Sequence, residues 1–471
     1  MGKRLRVLLP VALLAAVLAP GLCLAAVPAA AASPLNAGDE AWVLASAALV
    51  LIMTPGLALF YGGMVRSKNV ITTILQVFVV IGLISVQWVL FGYSLAFGPD
   101  WHHIVGTLAW IGLRHVGAAP DPAYAPTIPN ELYSIFQMMF AIITPALIVG
   151  GLAERMKFKA FVLFTLLWAT IVYDPLAHWV WGTGGWLHNL GVLDFAGGTV
   201  VHISSGVAGL VVAILLGKRR GLGRDEHIRA HNVPMVLVGT ALLWFGWFGF
   251  NAGSAVNAGP LATSAFLVTN TATAAASLAW IAVEWLRTGK PTLMGACAGA
   301  VCGLVAITPA SGFVGPLGAI AIGVGGGVLC YFAASLLKNR FGYDDALDAF
   351  GGHGIGGTWG ALATGIFAQL AINSGGANGL LYGHPRQLLL QAIGVGAAWA
   401  FSAAGTFVVY KVVDWLVGCR VTPEQEQEGL DAALHGEDAY PEQASLDRQV
   451  RALFGRVAAD APPAARPGMG A

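Results

Sequence analysis

Charge is what this sequence has least of. Asp, Glu, Lys and Arg make up 10% of its 471 residues, where a soluble globular chain carries about 25%. So few charges cannot cover a surface in water. The net charge of +1 excludes a basic nucleic-acid footprint and an acidic disordered chain, so no nucleic-acid partner is expected. Cysteine is scarce too: beyond Cys23 there are only Cys297, Cys302, Cys330 and Cys419. The first three of these lie in apolar segments and the fourth at the edge of one, which gives no disulfide framework. Catalytic signatures are missing as well. There is no Walker A lysine-serine pair and no metalloprotease helix, and Gly352-His-Gly354-Ile-Gly-Gly357 fits a dinucleotide pattern without a strand before it. These residues assemble no enzyme chemistry, no metal site and no cofactor site.

What the chain does have is apolar length. It is 57% hydrophobic with 62 glycines, roughly double the usual glycine share of about 7%. Apolar stretches of about 20 residues recur throughout, each long enough to cross a bilayer core of about 30 Å. The glycines point to helices packed backbone to backbone. Ahead of these stretches, Lys3, Arg4 and Arg6 precede the short apolar run Val7 to Ala26, and small residues from Ala29 to Ala32 offer a cleavage site. A cleavable signal peptide at 1–32 is expected; the alternative is an uncleaved first span. A membrane domain at 33–419 and a cytoplasmic tail at 420–471 complete the expected organisation.

Eleven segments follow the signal: about 41–63, 70–97, 131–152, 158–181, 197–217, 233–252, 263–286, 292–310, 315–337, 349–371 and 387–417. With the amino terminus outside, the inner loops collect fourteen basic residues: Arg66, Lys68, Arg155, Lys157, Lys159, Lys218, Arg219, Arg220, Arg224, Arg229, Arg287, Lys290, Lys338 and Arg340. The outer loops hold Arg114 and Arg386. The positive-inside rule therefore sets the amino terminus out and the carboxyl terminus in. The fold class is an all-α polytopic membrane protein of eleven transmembrane helices in the plasma (bacterial inner) membrane. Eleven divides as a five-plus-five inverted repeat and one long carboxyl-terminal helix. A faint echo supports this: Asp194-Phe-Ala-Gly-Gly opens the fifth span and Asp348-Ala-Phe-Gly-Gly the tenth. Chance similarity between glycine-rich segments is the competing explanation.

Ionisable groups inside a membrane are functional candidates by default. Glu154, Glu284 and Asp414 lie near span ends, where they read as anchors that snorkel. Asp194 reads first as a helix N-cap. His202 and His353 stand a few residues inside their spans among Gly, Val and Ile, and opposed spans would bring them together near the midplane. Of the aromatics, Phe136 and Phe140, Trp181, and Phe250 with Ser254 matter only if they converge on one vestibule; otherwise they are interfacial belt.

Asp194-Phe-Ala-Gly-Gly-Thr-Val-Val-His202-Ile-Ser-Ser-Gly-Val-Ala-Gly-Leu210 resembles the signature of the ammonium transporter family. Gly246-Trp-Phe-Gly-Phe-Asn-Ala-Gly-Ser254, Leu152-Ala-Glu-Arg155 and Asp348-Ala-Phe-Gly-Gly-His353 are similar to further family motifs. So is the tail, with Glu424-Gln-Glu-Gln-Glu428-Gly429-Leu-Asp431 and His435-Gly-Glu-Asp-Ala-Tyr440. The resemblance implies a homotrimer in which each protomer has its own pore for ammonium, or methylammonium as analogue. It implies that Phe140, Trp181 and Ser254 recruit the cation, Phe136 and Phe250 gate the pore with Trp247 nearby, and His202 and His353 line it. Asp194 would be a structural acid near the entrance. The tail residues Glu424, Glu428, Gly429, Asp431, His435 and Tyr440 would form a dock for a PII-type signalling protein. An ammonium sensor with little flux and an Rh-like gas channel are the alternative functions.

Overall fold

The computed structural model describes residues 35–222 and 230–441. The signal segment at 1–32, the tail from 442 and the loop residues Arg224 and Arg229 lie outside the described residues.

Lipid offers no partner to backbone N–H and C=O groups, so apolar runs close their hydrogen bonds internally as helices. The helices in order are α1 Ala37–Met64, α2 Ser67–Phe97, α3 Asn130–Leu152, α4 Phe158–Leu190, α5 Gly198–Leu216, α6 Val233–Gly253, α7 Pro260–Thr288, α8 Leu293–Ile307 and α9 Pro316–Phe341. Then α10 begins with a π-turn, Phe350–Ile355, and continues as Gly356–Phe367, and α11 is Pro385–Val417. Among the described residues nine helices are long and apolar enough to cross a membrane, and α8 is a shorter apolar helix. Helices α8 and α10 fill the two remaining apolar segments read from the sequence. The one sheet among the described residues is a two-stranded ribbon in the α2–α3 loop, where Asp100–Trp101 pairs with Val105–Gly106.

Glycine sets how closely the helices meet. A Cβ on Gly249 of α6 would lie 2.6 Å from Leu49 Cβ of α1, and one on Gly253 would lie 2.6 Å from Ser46 Cβ. The same device brings α5 against α10, where Gly206 faces the backbone of Gly354 and a Cβ on Gly357 would sit 3.0 Å from His202 Cβ. These close approaches place the two histidine-bearing helices in backbone contact.

The loops at the two ends differ in chemistry. At one end lie the α2–α3 ribbon, Trp181 and Asp194, here termed the aromatic face. At the other, the basic face, Arg66, Glu154, Arg155, Arg219 and Asp344 form a buried ionic network. Glu154 accepts from Arg66 Nε at 2.9 Å and Arg219 Nη1 at 3.3 Å, and Asp344 accepts from Arg219 Nη2 at 2.8 Å. Glu154 therefore does not snorkel as its place near a span end suggested. Its backbone turns inward at φ +68°, and the carboxylate is buried between two guanidinium groups. Burial pushes its carboxyl up, but Arg219 and then Arg66 outweigh this and hold it below its ordinary value. Asp344 is likewise held below its ordinary value by Arg219 and Arg155 against the cost of burial. Glu284 and Asp414 keep helix-end roles: Glu284 accepts from Thr292 N at 3.0 Å and Asp414 from Cys419 N at 2.8 Å.

The tail is laid over this network. The short helix α12, Pro423–Glu428, opens with a capping box between Thr422 and Gln425. Glu426 is buried and accepts from Arg220 N at 2.6 Å and Arg420 Nη2 at 3.0 Å.

Candidate functional site

Starting from the aromatic face, the first side chain is Trp181, whose indole N–H donates to Asp194 O at 2.9 Å. That bond fixes the plane of the ring. Phe140 stands edge-on to Trp181 with centroids 6.0 Å apart, and Phe250 lies against Phe140 at 4.2 Å. Ser254 Oγ donates to Phe250 O at 2.8 Å, which leaves its lone pairs available as acceptors.

One pairing differs from the expectation. The resemblance set Phe136 against Phe250, whereas Phe140 is the ring packed on Phe250. Phe136 meets Phe140 edge-on at 5.1 Å. Helix α3 starts at the aromatic face, so Phe136 lies one turn nearer that face and packs toward Gly253, whose Cβ would come within 2.9 Å of its ring.

Below Phe250 the lining becomes imidazole and indole. His202 stacks on Trp247 with centroids 5.3 Å apart, and Trp247 Nε1 donates to Thr308 Oγ1 at 2.9 Å. His353 stacks on His202 at 5.3 Å, and the two Nδ1 atoms are 3.3 Å apart. A pair of facing nitrogens can bond only if one carries the proton and the other offers a lone pair. The pair thus shares one proton at that contact, and two imidazolium rings would oppose each other there. His202 Nε2 is buried with no protein partner.

These rings line a narrow cavity whose other walls are apolar, among them Leu57, Ile143, Leu147 and Val301. His353 also lines a wider cavity of about 300 Å³ toward the basic face, with Trp280, Tyr331, Glu284 and Asp348. The histidine pair is the polar link between the two spaces.

Local sequence explains how each histidine is carried. Asp194 accepts from the N–H groups of Gly197, Gly198 and Thr199, each at 2.7 Å, capping α5. The N-cap position itself is Gly197, and Asp194 holds the opening N–H groups from three residues before it. Immediately after it the chain winds as a wide π-turn, Gly198–Ile203, that holds His202; such turns favour functional positions. The turn that holds His353 is also a π-turn, Phe350–Ile355. Its cap, however, is Asp345, which accepts from Ala349 N at 3.1 Å and Phe350 N at 2.7 Å. Asp348, the residue matched to Asp194 by sequence, instead pairs with Lys338 at 2.8 Å. The sequence echo is therefore offset by three residues from the structural one.

The tail residues fall into two groups. Asp431 accepts from Ile71 N at 2.9 Å and Thr72 N at 2.7 Å, His435 stands edge-on to Phe158 at 5.2 Å, and Tyr440 Oη lies 2.9 Å from His231 Nε2. Gly429 has φ +115°, and a Cβ there would meet Lys68 Cβ at 2.7 Å. Glu424 and Glu428 are exposed.

Three residues escaped the sequence reading. Glu426 was passed over among its acidic neighbours, although it is the buried one. His178 lies 2.9 Å from Asp100 through Nε2 and 3.0 Å from Ala96 O through Nδ1. Asp174 is fully buried within α4. Its signal was present: it is the one acid inside the apolar run 158–181.

A bundle of apolar helices around a narrow, histidine-linked passage has the form of a membrane transport protein. The sequence model described as the Ammonium Transporter Family matches residues 41–440. The ammonium transporter of Bacillus subtilis is 54% identical over 86% of this chain and 99% of its own length. That of Aquifex aeolicus is 50% identical over 87% of this chain and 95% of its own. The crystal structure of Saccharomyces cerevisiae Mep2 superposes with a TM-score of 0.77 at 36% identity, covering 83% of this chain and 88% of that one. This chain belongs to the ammonium transporter family.

Proposed function

We propose that the protein takes ammonium at the aromatic face, strips it of a proton and passes ammonia along the histidine-linked cavity. The observation that carries this is the His202–His353 contact, a single shared hydrogen bond between a narrow, otherwise apolar cavity and the wider one toward the basic face. Ammonium resembles a lysine head group, with a pKa near about 10.4 in water, so the cation is the species offered to the mouth. The faces of Trp181 and Phe140 attract a desolvated cation by about 2 kcal/mol. An acceptor such as Ser254 adds about 1.5–3 kcal/mol with a charged donor. Beyond Phe140 and Phe250 the ion would lose several kcal/mol of hydration for which apolar walls give nothing back. Releasing a proton there removes that cost, and the neutral molecule meets imidazole nitrogens as its next polar partners. Hydrated alkali ions have no proton to release. The histidines relay the proton separately.

The arrangement supports an inverted five-plus-five repeat. Helices α1 and α6 share an asparagine cap, Asn36 and Asn232, and α5 and α10 each open on N–H groups held by an aspartate, Asp194 or Asp345, at a histidine-bearing π-turn. The clustering of basic loops on one face supports an amino terminus outside and a tail inside. A homotrimer and a PII-type partner at the tail complete the proposal, with cleavage of the signal segment near residue 32.

The test is ammonium or methylammonium uptake into proteoliposomes with current recorded in parallel. His202→Leu and His353→Leu preserve volume but remove both ring nitrogens. Each is expected to abolish or severely reduce ammonium-driven current in well-folded protein. Wild-type current in both variants would make the histidines structural.

A further inference from the structure

Asp174 is a carboxyl group inside a membrane helix for which the transport path has no use. Its partner is Gln87 of α2, whose Nε2 donates to Asp174 Oδ2 at 2.7 Å. The other oxygen, Oδ1, is buried with no donor, and so is Gln87 Oε1. No Lys, Arg or His forms an ion pair with Asp174 among the described residues. The nearest histidine along the helix, His178, is already held by Asp100 and Ala96 O.

The surroundings are polar but uncharged. From α4 itself come Thr170 and Tyr173, and Thr144 of α3 stands beside the Tyr173 hydroxyl. On α3 this is a different stripe from the one that faces the pore. Phe136, Phe140, Ile143 and Leu147 form the stripe facing the transport cavity or its aromatic mouth, while Tyr133, Gln137 and Thr144 form a second stripe around the helix. Two π-turns frame the site, Trp88–Gly92 directly after Gln87 and Ala169–Tyr173 directly before Asp174. Gly92 makes room for the carboxamide: a Cβ there would lie 2.6 Å from Gln87 Oε1.

An ionised carboxylate needs donors on both oxygens or a cation nearby, and here it has one neutral donor. A carboxylic acid needs less. With a proton it is neutral, and an amide is its natural complement, since Gln87 offers both a donor and an acceptor. Membrane-embedded acids of this kind are used to hold and pass protons.

We propose that Asp174 is a proton-binding site separate from the histidine pair, loaded as a carboxylic acid at neutral pH, and that transport requires it loaded. The second half rests on the transport function proposed above; the first does not. Infrared spectra of the purified full-length protein test the first half. Wild type is expected to show a protonated-carboxyl C=O stretch that shifts on exchange into D2O and is missing from Asp174→Asn. Gln87→Leu, which removes the donor to Oδ2, should move that band to higher frequency in a protein whose Asp174 is untouched. A carboxylate pair in place of the acid band at neutral pH overturns the assignment.

Proteoliposome currents test the second half. Asp174→Asn mimics the loaded state, so it should match wild type at acidic pH and lack the wild-type decline at the alkaline pH where the infrared band disappears. Identical pH profiles would overturn the coupling. A wild-type protein that carries no ammonium at any pH would instead overturn the transport reading and leave the infrared result standing.

Discussion

Ser254 and Trp181 owe their orientation to bonds that leave their useful surfaces free. The Ser254 hydroxyl spends its proton on Phe250 O, so what it offers a passing donor is a lone pair. Trp181 ties its N–H to Asp194 O, so what it offers is a ring face. Trp181→Leu should raise the half-saturating ammonium concentration about tenfold, equivalent to roughly 1.4 kcal/mol of lost cation attraction. Ser254→Ala should act in the same direction with the maximal rate little changed. Concentration dependence of uptake checks both, and unchanged saturation would return these residues to an interfacial belt. His202, His353 and Asp194 were readable from sequence because each is a polar residue in an apolar stretch. The exchange of Phe136 for Phe140 was not. Two phenylalanines one turn apart on α3 are chemically equivalent in sequence, and only the angle of that helix against α6 decides which reaches Phe250.

Helix contacts explain why the site holds its shape. The crossing of α5 and α10 has no room for a side chain at Gly357, where a Cβ would lie 2.9 Å from Gly198 O. Gly357→Ala forces a small separation at this crossing and should cost about 1–3 kcal/mol. Because His202 lies against the same spot, ammonium current should fall in this variant even where the protein survives detergent extraction. Thermal melting together with current separates the two effects. At the basic face, Glu154→Gln leaves Arg66 and Arg219 facing a neutral group inside a buried network, a change costing about 3–5 kcal/mol. The sign with pH follows from the depressed carboxyls of Glu154 and Asp344. Their contribution is present above the ordinary carboxylate range and is lost as pH falls through the lower folded values. Melting of wild type in detergent should hold steady from neutrality to mild acid and drop only in stronger acid. Glu154→Gln should begin lower and drop less. The apolar helices were legible from hydropathy alone, but the inward turn at Glu154 depends on a positive φ that its position near a span end concealed.

Across the whole molecule, the carboxyl-terminal segment ties together parts of the chain that are far apart in sequence. Asp431 caps the start of α2 through Ile71 and Thr72, Glu426 holds Arg220 N, and Tyr440 reaches His231. Asp431→Ala removes the α2 cap, worth about 0.5–2 kcal/mol. It is expected to expose residues beyond Arg420 to protease and to weaken binding of a PII-type protein measured with the intact transporter. Equal binding by wild type and variant would separate the tail's fold from any docking role. These contacts also impose an order on biosynthesis. The Thr72–Asp431 bond spans 359 residues, and a ribosome adds about 5–20 residues per second. Helix α2 therefore waits tens of seconds in the membrane before the residue that closes its first turn has been made. Until then the basic face lacks its cover and Arg220 lacks the carboxylate of Glu426. A nascent chain cut short near its end would carry both His202 and His353 and still present an uncovered basic face, so protease should reach that face in a truncated chain and not in the complete one.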